Sequence, residues 1–340
     1  MRRRGTKARG LGSLHAALAL LLATVVAACA PGGAPPLRVG IPAWVPAEFG
    51  FVARDLGFFD DNSIEIVQYS SPIEMSRHFR EGSLDAVALT LDFVPYWSAT
   101  LPSLDIVFVM DISAGADGLV GTAAVRDLDG LRGRRVGLES SPLGAHMLLR
   151  ALKAGGLSLR DVQTVSIDTE DQNEAFLEGR VDAVVTYDPD RSQLLDSGGH
   201  SLFDSGRAPG EVVDVLVVQS ATARAREAEL RRLVDGWLAA FAKLQDEHAA
   251  TVSRLAAGLS VDSARIERAL AGVRLGDLAI NHELLGGSSP KLAATLKSIE
   301  TMAVDAGLLR AGSGKAVHFR DDLLPNIVTR TPARLAGAAS

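Results

Sequence analysis

One phrase occurs twice in the chain: FREGSLDAV at residues 79–87 and FLEGRVDAV at residues 176–184. The copies lie 97 residues apart, which is too far for a solenoid repeat and fits two copies of one α/β lobe. Each copy predicts a helix end, a glycine in the left-handed position that closes the helix, and then a buried strand. A Thr-x-Asp tail follows each strand, and ligands of open α/β sheets bind beyond the carboxyl ends of strands. The repeat therefore predicts two facing lobes with a binding cleft between them.

The first 28 residues have the composition of a secretion signal. Five cationic residues lie within the first nine positions, and an apolar stretch over residues 14–28 follows them. Its end, Val26-Ala27-Ala28-Cys29, resembles the bacterial lipobox, in which the signal is cleaved before a cysteine that carries a lipid. Cys29 is the only cysteine, which excludes an intramolecular disulfide. We therefore expect a signal peptide over residues 1–28, lipidation of Cys29 and an extracytoplasmic location at the cell membrane.

Residues 29–36 are rich in proline and glycine and predict a tether without a core. The folded body is expected to begin near Leu37 and to keep roughly 300 residues, enough for two lobes of ordinary size. The chain has a net charge of −6, and loss of the five positive charges of the signal makes it −11. An acidic body argues against nucleic acid as a partner and against direct binding to anionic lipid. Only the lipid and the tether are expected to touch the membrane.

Strands and helices alternate through the body, which predicts an α/β fold with parallel sheets. Predicted strands cover residues 37–41, 64–69 and 86–90, and a second series covers residues 135–138, 162–167, 183–186 and 200–203. Residues 106–110 and 119–125 are predicted to pair as they leave the first lobe, and residues 211–218 to return to it. An apolar stripe over residues 230–244 has helical spacing, and packing onto the first lobe is favoured over a partner-binding face.

This pattern divides the body into two lobes. We predict lobe 1 over residues 37–125 and 216–330, lobe 2 over residues 126–215, and a frayed tail over residues 331–340. The chain crosses between the lobes twice, and two crossings make a hinge that can close a cleft over a small molecule.

Several short motifs follow one another in a fixed order. They are Gly57-Phe58-Phe59, Glu81-Gly82 with Asp85-Ala86, Leu89-Thr90-Leu91-Asp92, residues 111–118, residues 128–136 and residues 203–214. Behind a lipobox, this order resembles the solute-binding proteins of ABC importers, in particular the nitrate/taurine/aliphatic-sulfonate and thiamine-pyrimidine branch. The resemblance runs from Leu37 to about Leu324. It implies a type II periplasmic-binding-protein fold, with two α/β lobes, two hinge crossovers and a ligand clamped between the lobes. It also implies a membrane permease and its ATPase as partners.

One candidate site lies at residues 139–146, where a strand leads into a helix. Ser141 is a good N-cap and Pro142 suits the first helical turn, so free backbone N–H groups at this end can bind an anion. In sulfonate-binding relatives a similar helix start has this role, and the resemblance extends it to Ser140, Ser141 and His146. The alternative is a simply capped helix in which His146 is a half-buried helix residue.

A second candidate feature is a set of acids at strand ends and loops that border the predicted cleft. They are Asp92, Asp117, Glu139 and Asp188. A buried carboxylate beside a sulfonate costs several kcal/mol unless a cation intervenes, and Arg191 is the nearest candidate. The acids therefore favour a ligand that carries an amine, amidine or aminopyrimidine nitrogen. Because Asp92 and Asp188 also stand where helices should begin, about half of the set is expected to cap helices instead.

Two aromatic residues and one further acid complete the candidates. Trp44 directly follows the first strand and can cover an apolar or cationic ligand face, as can Tyr187, and core packing is the alternative for both. Asp214 lies in the apolar return strand, where a carboxylate needs a partner, and it is predicted to contact the ligand or to hold the hinge.

The sequence holds no recognisable catalytic or metal-binding pattern, so we expect neither an enzyme nor a cofactor. The prediction is a monomeric, lipid-anchored receptor that closes on a small polar metabolite and delivers it to an importer. Two alternatives remain open: a sensor that presents its closed form to a signalling partner, and a pyrimidine-metabolism enzyme on the same fold.

Overall fold

The computed structural model describes residues 34–325. The predicted signal peptide, Cys29, most of the tether and the tail over residues 331–340 lie outside this range. Within residues 34–325, no helix is both long enough and apolar enough to cross a membrane.

Strands and helices alternate as the sequence predicts. The strands are β1 (Leu37–Pro42), β2 (Ile64–Tyr69), β3 (Ala86–Thr90), β4 (Leu104–Ser113), β5 (Asp117–Gly121), β6 (Arg135–Leu138), β7 (Gln163–Ser166), β8 (Ala183–Tyr187), β9 (His200–Asp204), β10 (Val213–Gln219), β11 (Val273–Leu275) and β12 (Val317–Phe319). The helices are α1 (Val45–Asp55), α2 (Pro72–Arg80), α3 (Phe93–Thr100), α4 (Pro142–Ala154), α5 (Gln172–Leu177), α6 (Asp190–Asp196), α7 (Ser220–Ala225), α8 (Glu227–Asp246), α9 (His248–Gly258), α10 (Ser263–Ala271), α11 (Leu278–Leu285) and α12 (Lys291–Asp305).

The strands form two separate sheets. The first sheet has the order β11-β4-β10-β3-β1-β2, with β12 also paired to β4, and the second has the order β7-β6-β8-β5-β9. The parallel pairs β1/β2 and β1/β3 in the first sheet match β6/β7 and β6/β8 in the second. Each sheet has its own apolar core, so each can serve as the centre of one lobe.

The doubled phrase has the same structure in both sheets. Gly82 and Gly179 have φ values of +78° and +71°, in the left-handed region that closes a helix with little strain only at glycine. The strand that follows each glycine pairs in parallel with an earlier strand of its own sheet, β3 with β1 and β8 with β6. The predicted sequence of helix end, glycine and buried strand is confirmed in both copies.

An aspartate in each copy fastens that strand. Asp85 Oδ2 accepts a hydrogen bond from the backbone N–H of Arg38 at 2.9 Å, and Asp182 Oδ2 accepts one from the backbone N–H of Arg135, also at 2.9 Å. In the second copy the Arg135 guanidinium also binds both carboxylate oxygens of Asp182. The repeat therefore preserves a side-chain-to-backbone bond that joins the first and third strands of each unit.

Two helices begin with the same Ser-Pro pair. Ser71 before α2 accepts a hydrogen bond from the N–H of Glu74, and Ser141 before α4 accepts one from the N–H of Gly144. Proline then occupies the first helical turn, where a missing N–H costs nothing. This capping explains why both helices begin where the sequence predicts.

The segment over residues 119–125 is not paired with residues 106–110 as predicted. Residues 119–121 of this segment belong to β5, which lies in the second sheet between β8 and β9. Strand β4 lies in the first sheet beside β10. The first crossing between the sheets therefore falls at residues 114–116, and the second falls between β9 and β10 at residues 205–212. We propose lobes that follow the sheets, with the first boundary near residue 115 instead of 125.

Ser205 joins the two crossings. Its fully buried hydroxyl lies 2.7 Å from the hydroxyl of Ser113 and accepts a hydrogen bond from the backbone N–H of Gly115 at 2.7 Å. The backbone N–H of Ser113 also donates to the carbonyl of Val212 at 2.9 Å. The outgoing and returning segments therefore run side by side and are bonded to each other.

The predicted apolar stripe of the long helix α8 packs against the first sheet. Leu230, Trp237 and Phe241 belong to the same buried cluster as β1, β3, β4 and β10. The Trp237 indole also donates a hydrogen bond to the carbonyl of Pro46 at 3.2 Å. Packing onto the first lobe is thus confirmed.

Candidate ligand-binding site

A cavity lies where the carboxyl ends of strands from both sheets meet. Of the predicted site residues, Trp44, Asp117, Glu139, Ser141, Tyr187 and Asp214 line it. Leu89, Thr90 and Phe93 also line it, although none of them was predicted as a site residue. The first sheet and the second sheet both contribute walls, as expected for a ligand held between two lobes.

Four predicted residues do not line this cavity. They are Asp92, Ser140, His146 and Asp188. The hydroxyl of Ser140 lies 2.7 Å from the hydroxyl of Ser166, and the two form a hydrogen bond. Asp188 accepts hydrogen bonds from the N–H and hydroxyl of Ser192, at 2.9 and 2.6 Å, so it caps the start of α6 as the capping alternative predicted.

In the first sheet, three polar side chains lie in a row across neighbouring strands. Asp214 on β10 pairs with Thr90 on β3 on one side and with Asp111 on β4 on the other. Thr90 is 6% exposed, Asp214 is 6% exposed and Asp111 is fully buried. The Thr90 hydroxyl and Asp111 Oδ1 have no hydrogen-bond partner within residues 34–325. The row therefore offers unused polar atoms beneath the cavity.

Asp111 and Asp214 share a buried environment that opposes their ionisation. Burial raises the pKa of Asp111 to about 7, although hydrogen bonds from Asp214 and Trp44 lower it in part. Burial also raises the pKa of Asp214, and the charge of Asp111 raises it further. Two carboxyl groups this close resist being ionised together, so the pair holds a proton near neutral pH.

Trp44 is held by a hydrogen bond to the first sheet and faces an aromatic residue of the second sheet. Its indole N–H donates to Asp111 Oδ2 at 3.2 Å. Its ring stands edge-on to Tyr187, with centroids 6.0 Å apart and planes at 86°. Tyr187 ends β8 of the second sheet, so the two rings meet across the cavity.

Asp117 brings a carboxylate from the second sheet. It begins β5 and pairs there with Tyr187. Burial raises its pKa to about 6, a hydrogen bond with Ser113 lowers it, and the charges of Asp92 and Asp188 raise it. The charge of Arg191 also lowers the pKa of Asp117, and it is the smallest of these effects. The cavity thus receives a carboxyl group from each sheet.

The start of α4 contributes Ser141 and Glu139. Ser141 is used as the N-cap, and it also hydrogen-bonds Glu139, whose pKa is raised chiefly by burial. A carboxylate of the chain itself therefore lies at the helix end that the sequence analysis considered as an anion site. An anionic ligand at this position would meet Glu139.

Asp92 and His146 form a buried ion pair between the two halves of the protein. Asp92 stands at the start of α3, and its Oδ1 lies 3.0 Å from His146 Nδ1 on α4. His146 Nε2 lies 3.4 Å from Glu211, which in turn binds Arg150 at 2.8 Å. Burial lowers the pKa of His146, but the charges and hydrogen bonds of Asp92 and Glu211 outweigh it and raise that pKa to about 10. His146 is therefore a cation that joins the halves.

Some site residues that were not predicted could have been recognised in the sequence, and others could not. Asp111 is an acid inside a long apolar strand, the same signal that singled out Asp214, and it could have been found. Thr90 is part of the quoted tail and is the last residue of the predicted strand. Arg150 and Glu211 acquire their roles only through packing. No group of three or more potential metal-ligating side chains occurs within the part of the chain described here.

Comparison with known proteins identifies the family. The sequence profile described as NMT1/THI5 like matches residues 48–245. The chain belongs to the NMT1/THI5-like family. That membership confirms the resemblance drawn from the motif order.

Known proteins similar to this chain support the fold. A putative aliphatic sulfonates-binding protein of Escherichia coli strain K12 is 26% identical over 152 residues, which is 44% of this chain and 47% of that protein. The match thus spans about half the length of that curated relative. The crystal structure of the periplasmic aliphatic sulphonate binding protein SsuA from Escherichia coli is 18% identical, with a TM-score of 0.68 over 85% of this chain and 97% of that one. The predicted type II periplasmic-binding-protein fold is confirmed.

The same fold also occurs in an enzyme. The desulfurization enzyme DSZB is 19% identical, with a TM-score of 0.60 over 85% of this chain and 95% of that one. At such identities the likeness concerns the fold alone, so function has to be argued from the site.

Proposed function

We propose that this NMT1/THI5-like protein is the extracytoplasmic solute-binding component of an ABC importer, anchored by lipid on Cys29. It captures a small polar metabolite between its lobes and delivers it to a membrane permease with its ATPase. The observation that carries the proposal is a cavity walled by strand ends of two separate sheets. The family and the sulfonate-binding relatives support it.

The size of the cavity supports capture by closure. It encloses about 40 Å³, whereas pockets for organic ligands usually have about 300–1,000 Å³. A metabolite of several heavy atoms therefore enters only when the lobes separate. The two adjacent crossings allow such a hinge motion, and the permease would read the closed form.

The test is ligand-dependent closure of the full-length chain, purified in a mild detergent. A panel of small sulfonates, amines and nitrogen heterocycles is screened by thermal shift, and any compound that stabilises the protein is examined by small-angle X-ray scattering after exchange into a contrast-matched detergent. We expect a rise in melting temperature together with a smaller radius of gyration. Stabilisation without compaction would contradict the closure mechanism.

A second candidate function is an enzyme, favoured only by the likeness to DSZB. Incubation of the purified chain with each compound that binds, followed by mass spectrometry of the solution, separates the two. Recovery of unchanged solute supports the receptor, and turnover supports the enzyme. The sensor alternative predicts instead that loss of the gene product leaves uptake of the solute unchanged.

A further inference from the structure

The wall of the cavity has only one sign of charge. Asp117, Glu139 and Asp214 line it, and no lysine, arginine or histidine does so among residues 34–325. Asp111 lies directly behind Asp214 and is fully buried. A ligand placed here is surrounded by carboxyl groups from both sheets.

Three of the cations near the cavity pair with groups outside it, whereas Arg80 lines an adjoining pocket. His146 lies 3.0 Å from Asp92, and Arg150 binds Glu211 at 2.8 Å. Arg191 hydrogen-bonds Ser201 at 3.0 Å and lies 3.6 Å from Asp204. None of these three side chains lines the cavity, although the charge of Arg191 acts on Asp117 in its wall.

A second, independent feature points to a polar group on the ligand. The Thr90 hydroxyl lines the cavity, its residue is only 6% exposed, and it has no hydrogen-bond partner in the described chain. A buried hydroxyl without a partner is unfavourable, so a ligand group that hydrogen-bonds it is favoured. Thr90 lies directly beside Asp214, which places a hydroxyl and a carboxyl group together.

We propose that the cavity binds its solute through a positively charged nitrogen, held by Asp214 and Asp117 and by the Thr90 hydroxyl, with the rings of Trp44 and Tyr187 covering it. The inference rests on the proposed receptor function and names the class of its solute: an organic amine or amidine. Carboxylates attract such a group, and the faces of aromatic rings favour it as well. A sulfonate in the same place would meet three carboxyl groups, and no cation among residues 34–325 lines the cavity to compensate its charge.

Binding of such a solute is coupled to protons. The carboxyl groups that act on Asp214 are Asp111, Asp117 and Asp92. Among these, Asp92 pairs with His146, and the charge of Arg191 acts on Asp117. In the free protein the pKa of Asp111 is about 7, that of Asp117 is about 6 and that of Asp214 is raised. A bound cation favours the ionised carboxylates and lowers these pKa values. Binding therefore releases protons near neutral pH, and affinity falls as the pH decreases.

The first experiment compares matched probes of opposite charge by titration calorimetry on the full-length chain. The pairs are butylamine with butanesulfonate and benzamidine with benzenesulfonate. We expect the nitrogen member of each pair to bind at least about tenfold more tightly. Tighter binding of the sulfonates would overturn this inference and leave the receptor function standing. Binding of neither class would overturn both.

The second experiment asks whether the named side chains are responsible. Asp214→Asn and Asp117→Asn should each weaken amine binding at least about tenfold, because each removes a negative charge from the nitrogen. Thr90→Val, which keeps the shape of the side chain, should weaken it less. The control is Asp246→Asn at the exposed end of α8, which should change nothing. Circular dichroism confirms that each variant is folded.

Titrations in buffers of different ionisation enthalpy measure the proton release. At about pH 6 we expect the unaltered chain to release protons on binding amine, and Asp214→Asn to release fewer. Absence of proton release, or unchanged amine affinity in both aspartate variants, would overturn the inference.

Discussion

Asp85 and Asp182 accept the same backbone hydrogen bond in the two halves of the chain, and this makes a residue-scale prediction possible. Asp85→Ala leaves the backbone N–H of Arg38 without its acceptor, and we expect the free energy of unfolding to fall by about 1–2 kcal/mol. Asp182→Ala should destabilise more, because the Arg135 side chain loses its carboxylate partner as well. Urea denaturation of both variants gives the comparison.

The two positions serve as controls for each other, since the repeat places them at equivalent points of equivalent strands. A larger loss of stability for Asp85→Ala than for Asp182→Ala would contradict the stabilising role assigned to the ion pair between Arg135 and Asp182.

At the residue scale, the sequence located part of the cavity. Trp44, Asp117, Tyr187 and Asp214 were found because strand ends in two lobes converge on one place. Asp92 was expected to touch the ligand but lies outside the cavity. It already has helical backbone angles, φ −59° and ψ −27°, and its carboxylate pairs with His146. A pairing between residues so far apart in sequence depends on how the lobes pack, which no local pattern records.

At the scale of elements, the pair between Asp92 and His146 joins α3 to α4 across the cleft. Asp92→Asn removes one of two acids that keep His146 charged. We expect the free energy of unfolding to fall by about 2 kcal/mol, because a buried cation loses part of its compensation. The radius of gyration of the solute-free protein should also increase, since a contact between the lobes is weakened.

Denaturation and small-angle scattering measure these two effects, with Asp246→Asn as the control. An unchanged radius of gyration together with lower stability would show that the pair supports folding without influencing closure.

The elements themselves were well predicted, with one informative exception. Residues 106–110 and 119–125 are both short apolar runs, and nothing in their composition says that they belong to different sheets. Strand pairing is decided by contacts distant in sequence: β5 lies beside β8 and β9, both of which come more than sixty residues later. The repeat was enough to predict the parallel strands at the centre of each sheet. It was not enough to predict which antiparallel strands pair beside them.

At the scale of the whole molecule, the buried acids determine how stability depends on pH. The folded protein raises the pKa of Glu48 to about 7, that of Asp111 to about 7 and that of Asp117 to about 6, in each case mainly through burial. Between their ordinary values near 4 and these values, the folded chain holds protons that the unfolded chain has released, so stability falls as the pH rises. His146, with its pKa raised to about 10, adds stability below about pH 6.5 that is lost toward pH 10.

Both effects have the same sign and act in succession, the acids between about pH 4 and 7 and His146 between about pH 6.5 and 10. We therefore expect the melting temperature without solute to be highest at roughly pH 5 and to decline steadily toward about pH 9. Scanning calorimetry over this range checks the profile. Glu48→Gln, which lies away from the cavity, should raise the melting temperature at the alkaline end and flatten the curve. A maximum at alkaline pH would contradict the assignment.

The two-lobed architecture was predictable from the doubled phrase, because the repeat unit is itself one half of the parallel core. The solute class was only partly predictable. The excess of acids was visible in the sequence, whereas the engagement of His146, Arg150 and Arg191 away from the cavity was not.

Ser205 gives the hinge a mechanical property. Because its hydroxyl bonds to Ser113 and Gly115, the outgoing and returning crossings cannot bend independently. Of the many rigid-body displacements that two tethered lobes could make, this leaves chiefly rotation about one shared axis that passes close to Ser205. Asp214 lies at the start of the strand that leads away from that axis, so it moves little during rotation, whereas groups at the far rim sweep the longest arcs. The first-sheet acids can therefore hold a solute in place while the second lobe swings onto it.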